Sequence, residues 1–449
     1  MAADPKTARP GLARRLGPFD ATMLVMGGII GSGIFRNPHE VALEVPTVGL
    51  ILGAWVVGGL VAILGAFVYA ELTARRPDVG GQYAFLREAY HPAVAFVYGW
   101  ALLLVTQTGG MAAVAVFFEI LFRSLTGSTW PPSSIALVAI CLLTIINCFG
   151  VRAGSTVQNT FMVLKIGAVL ALIGAGLFIA PAAQAPAAAL AATASPLAGL
   201  ALWTAFGAAL APVLFAFGGW QSAGFVSGEL RNPQRDMPRG LLFGVSGVIV
   251  LYLAVNVVCV RVLGVHGLAG SATPASDVMR SAFGAAGARW IEIGITISTL
   301  GFLSQGMLTA PRVYYAMAKD GLFFRRVGEL HPVTRVPIFA TILQGIAAMA
   351  IAAWGKYEQI LVYGISMDFL FFGLTGLALF ALRRKDGAAR PAFSAPGHPW
   401  TTAIFSSVCL LFVANILYKK PREAGIGLLI VLSGLPVYAL WRWLRRREG

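Results

Sequence analysis

Apolar residues in this 449-residue chain fall in long unbroken runs, separated by short polar loops, with neither strand-like alternation nor a single helical stripe. A run of about 20 apolar residues, coiled as a helix, crosses the ~30 Å hydrocarbon layer of a bilayer. On that measure the pattern predicts about twelve membrane spans, over residues 19–36, 47–73, 93–123, 134–149, 156–180, 200–227, 240–263, 289–316, 337–354, 358–382, 400–418 and 424–444. The fold class expected is all-α and polytopic, with tails at 1–18 and 445–449. Between spans, residues 77–90 (P-D-V-G-G-Q-Y-A-F-L-R-E-A-Y) pair a Gly-Gly turn with amphipathic spacing, which predicts a helix lying along the membrane surface. Residues 181–196 read as an Ala/Pro linker, residues 276–284 as a short surface helix capped by Ser276 or Asp277, and residues 228–240 as a rigid proline turn.

Two runs are apolar enough to span yet rich enough in glycine to break. Residues 27–35 read G-G-I-I-G-S-G-I-F and residues 215–220 read F-A-F-G-G-W, in the first and sixth spans. Hydrocarbon offers no hydrogen bonds, so an interrupted helix survives only where protein or a water-filled cavity meets its freed N–H and C=O groups. Small residues also serve plain helix packing, and Gly27 with Gly31 is a G-x-x-x-G. Packing, however, does not require two breaks five spans apart in oppositely directed helices. That symmetry predicts an inverted repeat, residues 19–180 and 200–382, with a binding site at the membrane midplane.

Charge fixes the orientation. Lys and Arg number 34 against 19 Asp and Glu, and the excess lies in alternate loops. Arg14 and Arg15, Arg75, Arg76 and Arg87, Arg231, Arg235 and Arg239, and Arg383 to Lys385 share one side with both termini. The positive-inside rule makes that side the cytoplasm. A mean hydropathy of +0.77 excludes an ordinary soluble domain, and the scattered basic residues form no nucleic-acid patch. Residues 1–18 do not read as a signal peptide. Cys141, Cys148, Cys259 and Cys409 lie in apolar runs without metal-ligand spacing, so neither a metal nor a cofactor is expected. The five histidines fall in loops, which removes them as intramembrane proton carriers.

Four motifs carry a family resemblance. The run at 27–35, the loop at 77–90, F-A-F-G-G-W followed by G-E-L-R-N-P-Q-R-D-M-P-R, and T-A-P-R-V-Y-Y-A-M-A-K-D-G-L-F at 309–323 together resemble the amino acid-polyamine-organocation transporters, in particular bacterial relatives of the L-type and cationic amino acid transporters. The resemblance implies a five-plus-five inverted repeat and alternating access. It also implies that Ile29, Gly31, Ser32 and Gly33 meet the substrate carboxylate while the carbonyls of Phe215, Ala216 and Phe217 meet its α-ammonium. Gly218 and Gly219 leave room for the side chain, and Trp220 lines or lids the pocket. Helix dipoles agree with this division: the half-helix beginning after the first break turns its positive end to an anion.

Two ionisable residues sit deep inside spans, where each costs ~2.5 to 3.5 kcal/mol. Lys165, in N-T-F-M-V-L-K-I, resembles the lysine whose ammonium occupies the sodium position of sodium-coupled relatives, which implies sodium-independent transport. Desolvated, it is also a candidate proton carrier. Asp368 is open between proton relay and packing partner. The loop 125–134 lacks the cysteine that joins animal L-type transporters to an accessory glycoprotein, so no disulfide-linked subunit is expected. No acidic residue falls in the runs assigned to side-chain contact, which favours neutral over cationic substrates. No H-E-x-x-H or G-x-S-x-G points to an enzyme, and no strand precedes the glycine run to make it a dinucleotide loop. The expected function is secondary amino acid transport, by proton symport or exchange; a non-transporting amino acid sensor and a carrier of cationic amino acids or polyamines are the alternatives.

Overall fold

The computed structural model describes residues 12–183, 199–354, 357–387, 389 and 391–448. Lys6, Arg9, Lys356, Arg390 and most of the 181–196 linker fall outside them. All regular structure among the described residues is helical, apart from an isolated bridge between Leu16 and Leu230. Among the described residues, nine helices are long and apolar enough to cross a membrane, a bent pair at the start makes a tenth, and Ser134–Cys148, the fourth span, and Ile338–Trp354, the ninth, are shorter apolar helices. Large apolar side chains such as Phe243, Val250 and Leu411 stand outward, as a hydrocarbon solvent allows.

The first span is two half-helices, Pro18–Ile29 and Gly33–Glu44, bent by 42° at the break. The second is Val48–Arg75 and the fifth Val151–Phe178. The third runs from Pro92 to Thr126 through a π-helical turn at Leu102–Thr106. The sixth is Leu200–Ala216 followed by a tighter 3-10 segment, Trp220–Glu229. The seventh and eighth are Pro233–Gly270 and Pro274–Thr309, the latter continued by Pro311–Lys319. The tenth and eleventh are Tyr357–Asp386 and Trp400–Lys419, and the twelfth is Pro421–Leu432 with Gly434–Glu448.

The second span packs along the seventh, the fourth along the ninth, and the first crosses the sixth. Each pair maps onto itself when spans 1–5 and 6–10 are exchanged. The fifth packs along the eighth, and its counterpart under the same exchange, the third along the tenth, is also present. This is the five-plus-five arrangement, with the eleventh span laid against the tenth and second. Lipid tails are as apolar as leucine, so close approach rather than apolar burial holds such helices together. At Gly176 an added Cβ would lie 2.0 Å from Val258 of the seventh span.

Several expectations need correction. The proline turn at 228–240 ends at Asn232: Pro233 occupies the first helical turn, where its missing N–H leaves nothing unpaired, and Pro238 lies inside the helix. The helix expected at 276–284 begins at Pro274, with no side-chain cap on Thr273; Asp277 instead accepts from the Ser271 hydroxyl at 2.5 Å, and the break comes at Gly284. The surface helix forms at Gln82–Ala89, but residues 82–86 are buried against the third and tenth spans. The tail at 445–449 continues the last helix to Glu448.

Candidate functional site

The two breaks touch. A Cβ on Gly28 would lie 2.5 Å from the Gly219 carbonyl oxygen, and one on Gly219 2.0 Å from that of Gly28, so only glycine allows the crossing. Gly219 also has φ 102°, a conformation that L side chains rarely adopt. Around this contact lies a cavity of about 110 Å³, whose wall includes Ile29, Gly31, Ser32, Gly33, Phe215, Ala216, Gly218 and Gly219.

The two sides of the crossing offer opposite polarity. The N–H groups of Gly31, Ser32 and Gly33 meet no acceptor among the described residues; regular bonding resumes as Phe35 donates to the Ser32 carbonyl at 3.2 Å. They form the positive end of the half-helix Gly33–Glu44. Across the cavity, the Gly218 N–H donates to the Phe215 carbonyl at 3.0 Å, while the carbonyl of Ala216, on the cavity wall, accepts from no described donor. An ion with separated carboxylate and ammonium groups matches that pattern.

Two sequence-predicted residues are turned away. Phe217 and Trp220 do not line the cavity. Trp220 is 2% exposed, with Tyr69 edge-on at 4.7 Å and Phe372 stacked at 5.6 Å, and Phe217 packs against Trp55 and Tyr252. Helical phase is lost at the break, so the sequence does not fix which way these rings point.

Lys165 stands outside the cavity, fully buried, and its ammonium donates to the Ile30 carbonyl. The Tyr252 hydroxyl donates to the neighbouring Ile29 carbonyl at 3.1 Å. The negative end of the first half-helix is thus held by a cation from the fifth span and a hydroxyl from the seventh. The eighth span closes over the lysine at Gly301, where a Cβ would come within 3.2 Å of Lys165 Cε.

Of the rest of the wall, sequence reasoning singled out only Asp368, without assigning it there. The π-turn in the third span precedes Gln107 and ends on Thr106, both of which line the cavity, as do Phe302 from the eighth span and Asp368 and Phe372 from the tenth. Asp368 has no basic ion-pair partner among the described residues, and it brings to the wall an acidic group that the two glycine-rich runs do not supply. A π-turn adds a residue to one turn and re-aims side chains, a frequent device at functional sites. It leaves no compositional mark. Beside the crossing, Gln305 of the eighth span donates to Ser222 Oγ at 2.7 Å, and Ser222 donates to the Gly219 carbonyl at 2.6 Å. Toward the N-terminal side, the Arg312 guanidinium meets Glu229 at 2.9 Å with both side chains buried, and Arg15 and Leu16 donate to the Glu229 carbonyl at 2.9 and 3.0 Å. Among the described residues no group of three His, Cys, Asp or Glu is placed to hold a metal ion.

Residues 16–438, including both breaks and the cavity wall, match the family model described as amino acid permease. The chain belongs to the amino acid permease family. This permease is 29% identical over 443 residues to the serine/threonine exchanger SteT of Bacillus subtilis (strain 168), covering 95% of this chain and 97% of that protein. It is 28% identical to the human large neutral amino acids transporter small subunit 2, over 96% of this chain and 80% of that one. With the human b(0,+)-type amino acid transporter 1 it shares 30% identity over 98% and 89% of the two chains. The permease is therefore a polytopic membrane transport protein rather than an enzyme.

Proposed function

We propose that this permease exchanges neutral L-amino acids across the cytoplasmic membrane by alternating access, without sodium, and with both termini in the cytoplasm. The observation that carries the reading is the contact of two broken spans, which sets unpaired N–H groups of Gly31 to Gly33 on the same cavity wall as the unpaired carbonyl of Ala216. A substrate carboxylate would take the first set and an α-ammonium the second. The Lys165 ammonium on the Ile30 carbonyl supports sodium independence, because a fixed cation already serves the half-helix end that a bound cation would serve. Exchange is favoured over proton symport by the likeness to the Bacillus serine/threonine exchanger. The basic loops on the N-terminal side support the orientation.

Gln107, Thr106 and Asp368 give the side-chain end of the cavity a polar lining, which suits a small side chain bearing a hydrogen-bond donor. A second reading, a cationic substrate, is favoured by one observation: Asp368 is a carboxylate on that wall without a basic partner among the described residues. Uptake into sodium-free proteoliposomes tests both. Labelled serine should enter vesicles loaded with amino acid and not empty ones, and lysine should compete poorly. Strict dependence on sodium, or uptake into empty vesicles driven by a pH gradient, contradicts the exchange reading. Stronger competition by lysine, lost in Asp368→Asn, selects the cationic one.

A further inference from the structure

We propose that the cleft at the N-terminal-side end of the twelfth span binds the headgroup of an anionic phospholipid. The cleft has a volume of about 710 Å³, and its wall includes Arg87, His91, Asp320, Tyr438, Trp441 and Arg442. These come from four places that meet at the membrane surface: the helix Gln82–Ala89, the residue before the third span, the loop after Lys319, and the last turns of the twelfth span.

The aromatic wall is held in place. The Trp441 indole N–H donates to the Gly321 carbonyl at 3.1 Å, its ring meets Phe324 edge-on at 4.8 Å, and Tyr438 packs against Phe96 at 5.5 Å and His91 at 6.2 Å. Tryptophan and tyrosine at this level of a span favour the headgroup region.

Charge decides the guest. The one carboxylate on the wall, Asp320, accepts from the Tyr83 hydroxyl at 2.8 Å and is paired with Arg87, so its charge is already answered. Arg442 is exposed and has no ion-pair partner among the described residues. Lys319, Arg325 and Arg326, all exposed, flank the adjoining loop and add positive potential. A phosphodiester entering the cleft therefore meets a guanidinium with free N–H groups and no competing free carboxylate. Basic pockets between spans at the membrane surface suit anionic headgroups. Exposed Leu435 and Leu440 on the same helix provide apolar surface for the acyl chains, which a soluble phosphate would not use.

The test uses the full-length protein in bilayers of equal parts phosphatidylcholine and phosphatidylglycerol, followed by extraction in mild detergent and measurement of the retained lipids. Phosphatidylglycerol should be enriched over its bulk share. Arg442→Gln should retain it about fivefold less, the effect of one basic residue at the membrane surface. Arg442→Lys should keep most of the enrichment, and Arg422→Gln, at an exposed arginine near the opposite end of the same span, should leave it unchanged. Thermal unfolding of each variant confirms that it is folded. Absence of enrichment in the wild type, or an equal loss in Arg422→Gln, overturns the proposal. Displacement of the lipid by millimolar glycerol phosphate would assign the cleft to a soluble anion and overturn it equally.

Discussion

Gly28 and Gly31 lie three residues apart in one glycine-rich run and predict opposite behaviour. A methyl group on Gly28 strikes the Gly219 carbonyl, whereas one on Gly31 meets only Phe302, at 3.6 Å. Gly28→Ala should therefore lower the unfolding temperature and abolish transport together. Gly31→Ala should leave the unfolding temperature unchanged while raising the substrate concentration needed for half-maximal uptake, because the methyl enters the cavity. Lys165 gives a second residue-level prediction. Lys165→Ala leaves the Ile30 carbonyl buried and unpaired, at a cost of about 1–3 kcal/mol, and should abolish uptake. Gly301→Val reaches the same end from the opposite helix by displacing the lysine, so both variants should lose transport while a Gly167→Ala control, on the lysine's own helix with open space around the added methyl, loses far less.

Among the elements, the sixth span and the end of the eighth are joined by the ion pair of Glu229 with Arg312, at 1% and 0% side-chain exposure respectively. Breaking such a pair leaves an uncompensated buried charge, so Arg312→Ala should destabilise the protein by about 3–5 kcal/mol, read as loss of the folded state in denaturant titrations. Replacing both partners, Arg312→Leu with Glu229→Met, should recover most of it. The element scale also separates what the chain displays from what it conceals. Both broken spans are legible, because glycine pairs inside apolar runs conflict with the demands of hydrocarbon. Lys165 is legible as a charge too deep to reach water. Asp368 is legible in the same way, though not as part of the wall; Thr106 and Gln107 are not legible, since their approach depends on a π-turn and on the packing of the third span against the tenth. Trp220 misleads for a related reason: beyond a break the helical phase that assigns faces no longer holds.

At the scale of the whole molecule, the exchange symmetry of spans 1–5 and 6–10 places both breaks at one crossing, with unpaired donors and acceptors of the backbone facing a shared cavity. The fold then explains why glycine, not a set of charged side chains, dominates the wall. Basic loops on the N-terminal side predict that a cysteine placed at exposed Arg326 reacts with an impermeant thiol reagent only in inside-out vesicles, in a Cys141→Ser background that removes the exposed native thiol. The central claim, that this crossing is a sodium-independent amino acid site, is tested most directly by equilibrium binding of labelled serine to the purified protein in sodium-free buffer, for the wild type and Gly31→Val. Saturable binding by the wild type, lost in Gly31→Val at an unchanged unfolding temperature, is the expected result. Binding that appears only on addition of sodium, or that survives in a folded Gly31→Val, would contradict it.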